Sequence, residues 1–385
     1  MIRRAVVLTT IFGASFLVAA LVEGKETQSA MTKRSTVYTV PASIPSDCSR
    51  AVAVKLMHWI ATVPNHSTVR FARNGCYGQD RTITLSDRKG LTIDGNGSSF
   101  KALTRGTSHR ANWRLQGGSS LTLVDMTVRG SNRNAGPTAV AYNAGLEWQH
   151  GFAFDGTQGA TLLNVRAYDV YGDFVETEPD MRLGAYASPP VRNLTVSSSH
   201  FEGSGRMGLG LTDVDGFVIK NSHVGGVAWD AVDIEPDVEQ EYARNIQILD
   251  NHFGPTRFAI LSNEGTGSST VGDIIMSGNV ENGPVTTCTP PVAVEPPTGT
   301  YRSGYTMQNN HLLTASDGLD FSRTDNVTVS GNTVTFTGLS CSSFVGVAVT
   351  DSHSMTVSNN TFSGAARATQ VDTLSTGLRV SNNST

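Results

Sequence analysis

A short pattern of alternating apolar and polar residues returns along most of the chain. It reads LTIDGNGS from Leu91, ATLLNVRA from Ala160, IQILDNHF from Ile246 and MTVSNNTF from Met355. Apolar residues at the first and third positions alternate with polar ones, as in a strand with one buried face, and Gly, Asn, Ser or Asp then interrupts the strand. The pattern predicts many short strands, each followed by a turn.

The copies recur at a spacing that indicates stacked repeats. Further copies begin at Leu121, Leu194, Phe217, Ile274, Tyr305, Val327 and Leu378, and successive copies lie roughly 22 to 39 residues apart. Because one such unit cannot bury its apolar face alone, the spacing predicts a coil in which each repeat stacks on the next. A leucine-rich horseshoe is the competing solenoid, and it is excluded because its LxxLxL rhythm and helical spacers are absent.

Asparagine recurs at the sixth position of seven copies. These residues are Asn96, Asn251, Asn279, Asn310, Asn332, Asn360 and Asn383. Asparagine tolerates left-handed backbone geometry, and amides stacked one strand apart can hydrogen-bond along the coil. We therefore predict a structural role for them at the corners of the coil.

The repeat resembles the right-handed parallel β-helix of the pectate-lyase-like superfamily, over roughly Leu91 to Leu378. The resemblance implies an all-β, single-stranded right-handed parallel β-helix and a polysaccharide ligand, because many members cleave pectin or other acidic glycans along an outer face of the coil. The chain contains none of the polygalacturonase signatures NTD, DD and GHG, no WIDH-type segment of pectate lyases and no DPHE of alginate epimerases. The resemblance therefore predicts the fold and leaves the chemistry open.

Three segments are expected along the chain: a signal peptide over residues 1–24, an N-terminal segment with a helical cap over 25–90, and the β-helix over 91–385. The first carries two arginines ahead of an apolar run, as secretory signal peptides do, and a retained membrane anchor is the alternative. In the second, Ser46–Ala61 has apolar residues at helical spacing. A helix there would cover the open end of the coil.

Composition narrows the classes of partner. The net charge is -4 and basic residues are not clustered, which excludes a nucleic-acid partner. We expect a secreted monomer that binds a polysaccharide and has no membrane contact once the signal peptide is removed. Four cysteines in an exported protein fit two disulfides, most simply Cys48 with Cys76 and Cys288 with Cys341, out of three pairings that the sequence permits.

Two acidic segments, VETEPD from Val175 and VDIEPD from Val232, become neighbours if the repeats are in register. Counting fifteen residues from four successive repeat starts reaches Val175, Leu209, Val232 and Leu261, which are all apolar. This register predicts a second stacked strand with those side chains inward. The adjoining outward positions form two columns, Glu176, Gly210, Asp233, Ser262 and Glu178, Thr212, Glu235, Glu264. The acidic segments are thereby expected two strands apart.

The predicted patch suits two kinds of polysaccharide cleavage. Two strand spacings separate Glu176 and Asp233 by about 9–10 Å, and carboxyls at such a separation act as general acid and base in an inverting hydrolysis that needs no cofactor. Alternatively, bound Ca²⁺ neutralises a uronate carboxylate while Arg206 abstracts the proton in a β-elimination. The predicted catalytic residues are Glu176, Asp233, Glu235 and Arg206, and the predicted calcium ligands are Glu178, Glu235, Glu264 and, in one arrangement, Asp233.

Other residues are expected to contribute around this patch. Substrate contacts are predicted for Asp173, Asp230, His150 and Trp229. Loops that leave the coil are predicted at Gly130–His150 and Asn282–Ser303, because both stretches resist the repeat, and such loops commonly shape a cleft. A separate column at the seventh repeat position contains His200, His223, His252 and His311, which are either simply exposed or bind a metal or a sugar carboxylate.

The sequence thus predicts a secreted carbohydrate-active enzyme that cleaves glycosidic bonds of an acidic polysaccharide, by hydrolysis or by β-elimination. Outward Asp and Glu residues are also ordinary on a solvated strand. The alternative, from a different class, is therefore a non-catalytic surface or glycan-binding β-helix. The two hypotheses differ in whether products are released from the glycan.

Overall fold

The computed structural model describes residues 35–183, 189–263, 270–337, 341 and 344–385. Within these ranges the chain winds into three parallel sheets of 13, 12 and 11 strands, and successive turns of the coil add strands to each. The signal peptide predicted over residues 1–24 lies outside the described ranges. None of the helices within them is long and apolar enough to cross a membrane.

The strands fall into three sheets, named here in the order in which the chain meets them. The first sheet contains Thr36–Thr39, Ser67–Arg70, Thr92–Asp94, Ser119–Val124, Gln158–Leu163, Val191–Ser197, Val214–Lys220, Tyr242–Leu249, Thr270–Ser277, Arg302–Gln308, Thr324–Ser330, His353–Ser358 and Arg379–Ser381. The second sheet contains Asp47–Ala51, Cys76–Gln79, Ser99–Ala102, Thr127–Arg129, Arg166–Val170, His200–Ser204, His223–Val227, His252–Phe253, Val280–Glu281, His311–Thr314, Thr333–Phe336 and Thr361–Ser363. The third sheet contains Ile83–Ser86, Trp113–Gln116, Phe152–Asp155, Val175–Glu178, Leu209–Leu211, Val232–Asp233, Leu261–Asn263, Val292–Val294, Leu319–Ser322, Val345–Thr350 and Arg367–Val371.

The repeat pattern forms the first sheet in the predicted register. Ala160 pairs with Leu121, Leu194 with Phe217, and Phe217 with Ile246. These side chains are at most 1% exposed, so the alternation places one side of each strand inside the coil. The prediction of a right-handed parallel β-helix is confirmed.

The asparagine column forms a hydrogen-bonded ladder inside the corner of the coil. The Asn251 side-chain amide donates to Asn279 Oδ1 at 3.1 Å, and Asn279 donates in the same way to Asn310 at 2.9 Å. The structural role is therefore confirmed. Asn96 has the left-handed backbone that the sequence suggested. Along the ladder this expectation is wrong, because the residue before each asparagine adopts that conformation instead, as Asp250 does with φ 53°. The amide is then free to point inward and bond the next turn.

The coil begins earlier than predicted. The first sheet already contains Thr36–Thr39 and Ser67–Arg70, so the boundary at residue 91 is wrong by two strands of that sheet. These segments lack the alternating phrase followed by a turn residue that marks the later repeats. Backbone pairing alone, such as Thr36 with Ser67, places them in the coil.

A helix covers the start of the third sheet, but it is shorter than the predicted Ser46–Ala61. It spans Ala53–Thr62 and buries Ala53, Leu56 and Ile60, and it packs against Ile83–Ser86, the first strand of that sheet. The preceding residues form a strand instead, because Asp47–Ala51 pairs with Cys76–Gln79. Sheet pairing has overridden the helical spacing there.

The two disulfides and the two irregular stretches complete the scaffold. Cys48 is bonded to Cys76 and Cys288 to Cys341, which confirms the simplest pairing. The stretch 130–150 leaves the coil as predicted and is held back against it by a hydrogen bond from the Asn132 side chain to the Val170 carbonyl. The stretch 282–303 is only partly a loop, because Val292–Val294 joins the third sheet.

Candidate active site

The two acidic segments lie on the third sheet, two strands apart. Val175 pairs with Leu209, and Leu209 pairs with Val232, so the predicted register is confirmed. The next position brings Glu176 and Asp233 to either side of Gly210. Their inward neighbours are completely buried, so both carboxyls project from the outer face of the coil.

These two carboxyls are buried although they project outward. The exposed fraction is 3% for Glu176 and 5% for Asp233, so the solvated outer face implied by the sequence is wrong here. The Thr212 hydroxyl donates to Glu176 at 3.0 Å, and the Ser262 hydroxyl donates to Asp233 at 2.9 Å. A Cβ on Gly210 would lie 2.0 Å from Glu176 Oε2. The glycine therefore provides the space into which Glu176 leans.

Arg206 connects the two acidic segments. Its Nη1 lies 2.8 Å from Asp173 Oδ2 and 3.8 Å from Glu176 Oε2, while its Nη2 lies 3.4 Å from Glu235 Oε2. The Ser204 hydroxyl accepts the Arg206 backbone N–H at 3.0 Å and fixes the start of the side chain. One guanidinium group thus contacts carboxylates from both segments.

Asp173 and His150 form the deepest part of the site. Asp173 accepts the Met207 backbone N–H at 2.8 Å, and its side chain is 0% exposed. His150 is 1% exposed, and its Nδ1 accepts the Asp173 backbone N–H at 3.0 Å. A neutral His150 must then carry its proton on Nε2, which is buried and makes no hydrogen bond within the part of the chain that the structure describes.

The electrostatics divide the carboxyls into two kinds. Burial and the neighbouring Asp173 carboxylate raise the pKa of Glu176 well above its ordinary value. Burial and the neighbouring Glu235 do the same to the pKa of Asp233. For Asp173, burial acts in the same direction, but the Arg206 guanidinium, the neighbouring His150 and a hydrogen bond with Glu176 together outweigh it, and the pKa is lowered. Glu176 and Asp233 therefore retain protons more readily than Asp173.

Arg206 is held in its protonated form. The Asp173 carboxylate, together with Glu176, Asp233 and Glu235, raises the pKa of the guanidinium above an already high value. A base must release its proton near the working pH. The geometry therefore argues against the predicted proton abstraction by Arg206 and favours an electrostatic role for it.

The remaining predicted substrate contacts lie at the edge of this cluster. Asp230 accepts the Ala259 backbone N–H at 2.6 Å. The Trp229 ring is half-buried and packs against Tyr142 with ring centroids 5.2 Å apart. Tyr142 in turn donates its hydroxyl to Glu147 at 2.6 Å. Trp229 therefore packs against another aromatic side chain instead of presenting an unpartnered ring to a sugar.

The predicted calcium ligands are only partly described. Glu178 lies 4.0 Å from Arg114 Nη1, and Glu235 lies beside Arg206. Glu264 lies outside the described residues. A calcium site therefore stays a prediction, and the two glutamates that are described both face an arginine.

Sequence reasoning missed several charged and aromatic neighbours of the site. Asp155 pairs in register with Glu178, and burial raises its pKa to about 6 even though it binds Arg114 at 2.8 Å. Tyr142 comes from the stretch 130–150. That insertion interrupts the fifteen-residue interval that links a repeat start to the third sheet in the next turns, so no periodic signal could have placed either residue here.

A positively charged cleft of about 930 Å³ lies next to Tyr171. The cationic side chains that line it are Lys101, Arg105, Arg129 and Arg133, with Asp169 the one acidic residue among the lining residues. Arg105 lies over the Tyr171 ring, 5.6 Å from its centroid. Tyr171 is two residues from Asp173 along the chain, a backbone distance of at most about 7 Å. The chain therefore passes from the cleft to the acidic cluster within two residues.

Comparisons with known proteins address the fold. No family model matches the chain, and no curated protein matches its sequence. The surface adhesin PfbA of Streptococcus pneumoniae has a similar structure, with a TM-score of 0.67 and 13% identity over 90% of this chain and 89% of the adhesin. The A-module of the mannuronan C-5 epimerase AlgE4 of Azotobacter vinelandii gives a TM-score of 0.57 and 14% identity, over 86% of this chain and 96% of the module.

A third similar structure is the catalytic unit of the GH87 α-1,3-glucanase of Streptomyces thermodiastaticus strain HF3-3. It gives a TM-score of 0.57 and 15% identity, over 92% of this chain and 69% of that one. The chain is a right-handed parallel β-helix protein. These β-helix neighbours include enzymes named for polysaccharide substrates as well as an adhesin, and at such low identity they show the fold alone.

Proposed function

We propose that this β-helix protein hydrolyses glycosidic bonds of an acidic polysaccharide outside the cell, at the site formed by its two acidic segments. The two disulfides support an oxidising, extracellular location. The neighbours that act on polysaccharides support a carbohydrate ligand. The proposal goes beyond both of these, because it assigns a reaction and the residues that perform it.

The observation that carries the proposal is that the Arg206 guanidinium contacts two carboxyl pairs, at 2.8 Å from Asp173 and 3.4 Å from Glu235. Asp173 raises the pKa of Glu176, and Glu235 raises the pKa of Asp233, in each case together with burial. Because two close carboxylates resist ionising together, we expect each pair to keep its last proton to a higher pH than a lone carboxyl does. Arg206 lies within 3.4 Å of one carboxylate of each pair and offsets one of the remaining negative charges.

This arrangement supplies an acid and a base at separate points. The Glu235 side chain is 40% exposed, so it is the carboxyl that a glycan reaches first. With Asp233 behind it, this pair would donate a proton to the departing glycosidic oxygen. The Asp173–Glu176 pair, two strands away, would accept the proton of the attacking water. The backbones of the two pairs are two strand spacings, about 9–10 Å, apart, which leaves room for the water that an inverting hydrolysis places between base and sugar.

The positively charged cleft supports an acidic substrate. Four of its lining side chains are cationic, and Arg129 is the one that pairs with the lining acid, Asp169, at 2.5 Å. Arginine and lysine bind carboxylate or sulfate groups through charge-assisted hydrogen bonds. A chain of uronate or sulfated sugars lying in the cleft would bring a glycosidic bond toward the acidic cluster. A neutral glycan would bind the cationic cleft more weakly.

Glycan binding without cleavage is the second candidate function. The specific observation that favours it is the burial of Glu176 and Asp233. A substrate must either reach these buried carboxyls or exchange protons with them through Glu235 and Arg206. A surface adhesin is also among the similar structures. In this alternative the cleft holds the glycan, and the acidic cluster only stabilises the coil.

Product analysis with matched variants tests the proposal. The purified chain is incubated with neutral and acidic polysaccharides, with and without Ca²⁺, and reducing ends and unsaturated ultraviolet-absorbing products are measured. We expect reducing ends from acidic glycans only, no unsaturated products and no calcium requirement. Asp233→Asn and Glu235→Gln should each lower the rate by about 100-fold or more, the usual contribution of general acid–base catalysis.

Asp320→Asn is the matched control. Asp320 lies in the same column of the third sheet, three strands beyond Asp233, and burial raises its pKa to about 7. This variant should keep full activity. If unsaturated products appear, the reaction is a β-elimination and the proposed hydrolysis is wrong. If the chain binds glycan but releases no product, and if the Asp233 and Glu235 variants bind it equally well, the function is glycan binding without cleavage.

A further inference from the structure

Three histidines stack on the outer surface of the second sheet, outside the acidic cluster. His200 pairs in register with His223, and His223 pairs with His252. The ring centroids are 4.4 Å apart in the first pair and 5.6 Å apart in the second, with the rings nearly parallel in the first. Neither the proposed hydrolysis nor the core of the coil uses these side chains.

Glu202 joins the histidine stack from the same face of the sheet. It lies two residues after His200, and its Oε2 lies 2.9 Å from His223 Nε2. One ligating atom from each of His200, Glu202 and His223 lies within 4.8 Å of the others. The side chains are partly exposed, 23% for His223 and 42% for Glu202, so an ion can reach them from solvent.

Glycines keep open the space in which these atoms meet. Gly225 pairs with Glu202, and a Cβ on it would lie 2.9 Å from both Glu202 Oε2 and His223 Nε2. A Cβ on Gly254 would lie 3.1 Å from His223 Cε1. Neither glycine has the positive φ that would demand glycine for the backbone. A side chain at either position would crowd the ligand atoms, and its Cβ would also lie 3.0 to 3.1 Å from the Cα of the other glycine.

We propose that His200, His223 and Glu202 bind a divalent transition-metal ion of the zinc class, with His252 next in line as a further ligand. Imidazole and carboxylate ligands suit Zn²⁺, Co²⁺ and Ni²⁺, whereas Ca²⁺ prefers oxygen ligands alone. Zn–N and Zn–O bonds of about 2.0–2.2 Å place tetrahedral ligand atoms roughly 3.3 Å apart. The ligand atoms already lie within 4.8 Å of one another, so binding would draw them together by about 1–2 Å. Three protein ligands leave at least one position for solvent or a further ligand.

The residues before and after the three histidines in their column limit the extent of the metal site. Arg166 occupies the same column on the preceding strand, next to His200, and its positive charge opposes an ion there. The following column position beyond His252 is Val280, which separates the stack from His311. The binding atoms are therefore confined to two or three adjacent strands, and His311 provides a natural control.

Metal titration of the full chain, purified without a polyhistidine tag and stripped with EDTA, tests the proposal. We expect one Zn²⁺ per chain by calorimetry, and Co²⁺ should give the visible absorption of tetrahedral nitrogen and oxygen coordination. His223→Ala and Glu202→Gln should each raise the Kd for Zn²⁺ by about 10-fold or more. Gly225→Ala should do the same by filling the space, while His311→Ala should leave the Kd unchanged.

Circular dichroism of each variant establishes that the coil is intact before binding is compared. The proposal is overturned if the wild-type chain binds no Zn²⁺ at micromolar concentrations, or if Zn²⁺ binding survives His223→Ala and Glu202→Gln unchanged. Preference for Ca²⁺ over Zn²⁺ would overturn it as well. Because these measurements concern the second sheet and use no glycan, their failure is distinguishable from failure of the proposed hydrolysis.

Discussion

Replacing Arg206 by methionine tests the electrostatic balance of the acidic site. The guanidinium lies 2.8 Å from Asp173, whose side chain is 0% exposed. Removing one partner of a buried ion pair leaves the other charge uncompensated and costs about 3–5 kcal/mol. We expect the free energy of unfolding of Arg206→Met to fall by that amount near pH 7.

The loss should depend on pH in a defined direction. With Arg206 present, the pKa of Asp173 is lowered, so its contribution to stability is present above the ordinary Asp pKa of about 3.9 and disappears as the pH falls through the lowered value. Without Arg206, burial raises the pKa of Asp173, and the folded state is penalised as the pH rises above about 4. The two proteins should therefore differ most near pH 7, less near pH 4, and least once the pH falls through the lowered pKa of Asp173.

Urea unfolding followed by circular dichroism measures this difference. Arg70→Met is the matched control, because Arg70 lies 2.8 Å from Asp94 in an ion pair whose side chains are 49% and 17% exposed. An exposed pair of this kind contributes about 0–1 kcal/mol. The double variant Asp173→Asn/Arg206→Met should recover much of the lost stability. A cost for Arg206→Met no larger than that for Arg70→Met at pH 7 would refute the reasoning.

Three further substitutions test packing, titration and the ladder. Gly210→Ala places a Cβ 2.0 Å from Glu176 Oε2 and should cost about 1–3 kcal/mol in urea unfolding. Gly145→Ala, whose nearest contact is 3.4 Å, should cost far less, and equal losses would contradict this. Burial raises the pKa of Glu281 to about 7, which weakens the folded state as the pH rises from about 4 to about 7. Glu281→Gln should therefore show a flatter dependence of Tm on pH in that window, and an unchanged slope would count against it. Asn310→Ala removes two hydrogen bonds that the side-chain amide donates, both of 2.9 Å, and two that its Oδ1 accepts from Asn279, of 3.0 and 2.9 Å. It should lower the free energy of unfolding by about 1–3 kcal/mol; a neutral result would exclude the ladder as a source of stability.

The neighbourhood of the two acidic segments was predictable because apolar spacing fixes the register of a coil. From Ala160 to Leu261 each turn keeps the same fifteen-residue interval between its repeat start and its third-sheet strand, so Val175, Leu209 and Val232 had to share a column. A one-residue error in that count would have placed the acids inside the core. Both the fold and the position of the candidate site could therefore be predicted from the periodic spacing of apolar residues.

The burial and the protonation of the site were not predictable in this way. They depend on contacts such as Thr212 to Glu176 and Arg206 to Asp173, which involve side-chain lengths and rotamers that a repeat does not encode. The insertion that supplies Tyr142 and His150 has no register with the coil. The start of the helix was missed for a related reason, because strand pairing of Asp47–Ala51 is a long-range contact.

The central claim is that the two acidic segments act as one acid–base unit across Gly210. The most direct measurement is the rate of reducing-end release from an acidic polysaccharide by Glu176→Gln, by Asp233→Asn and by the double variant. Residues that act as a unit lose activity non-additively. The account predicts that each single variant is nearly inactive and that the double variant is hardly worse. Single variants with wild-type rates, or losses that simply multiply in the double variant, would contradict it.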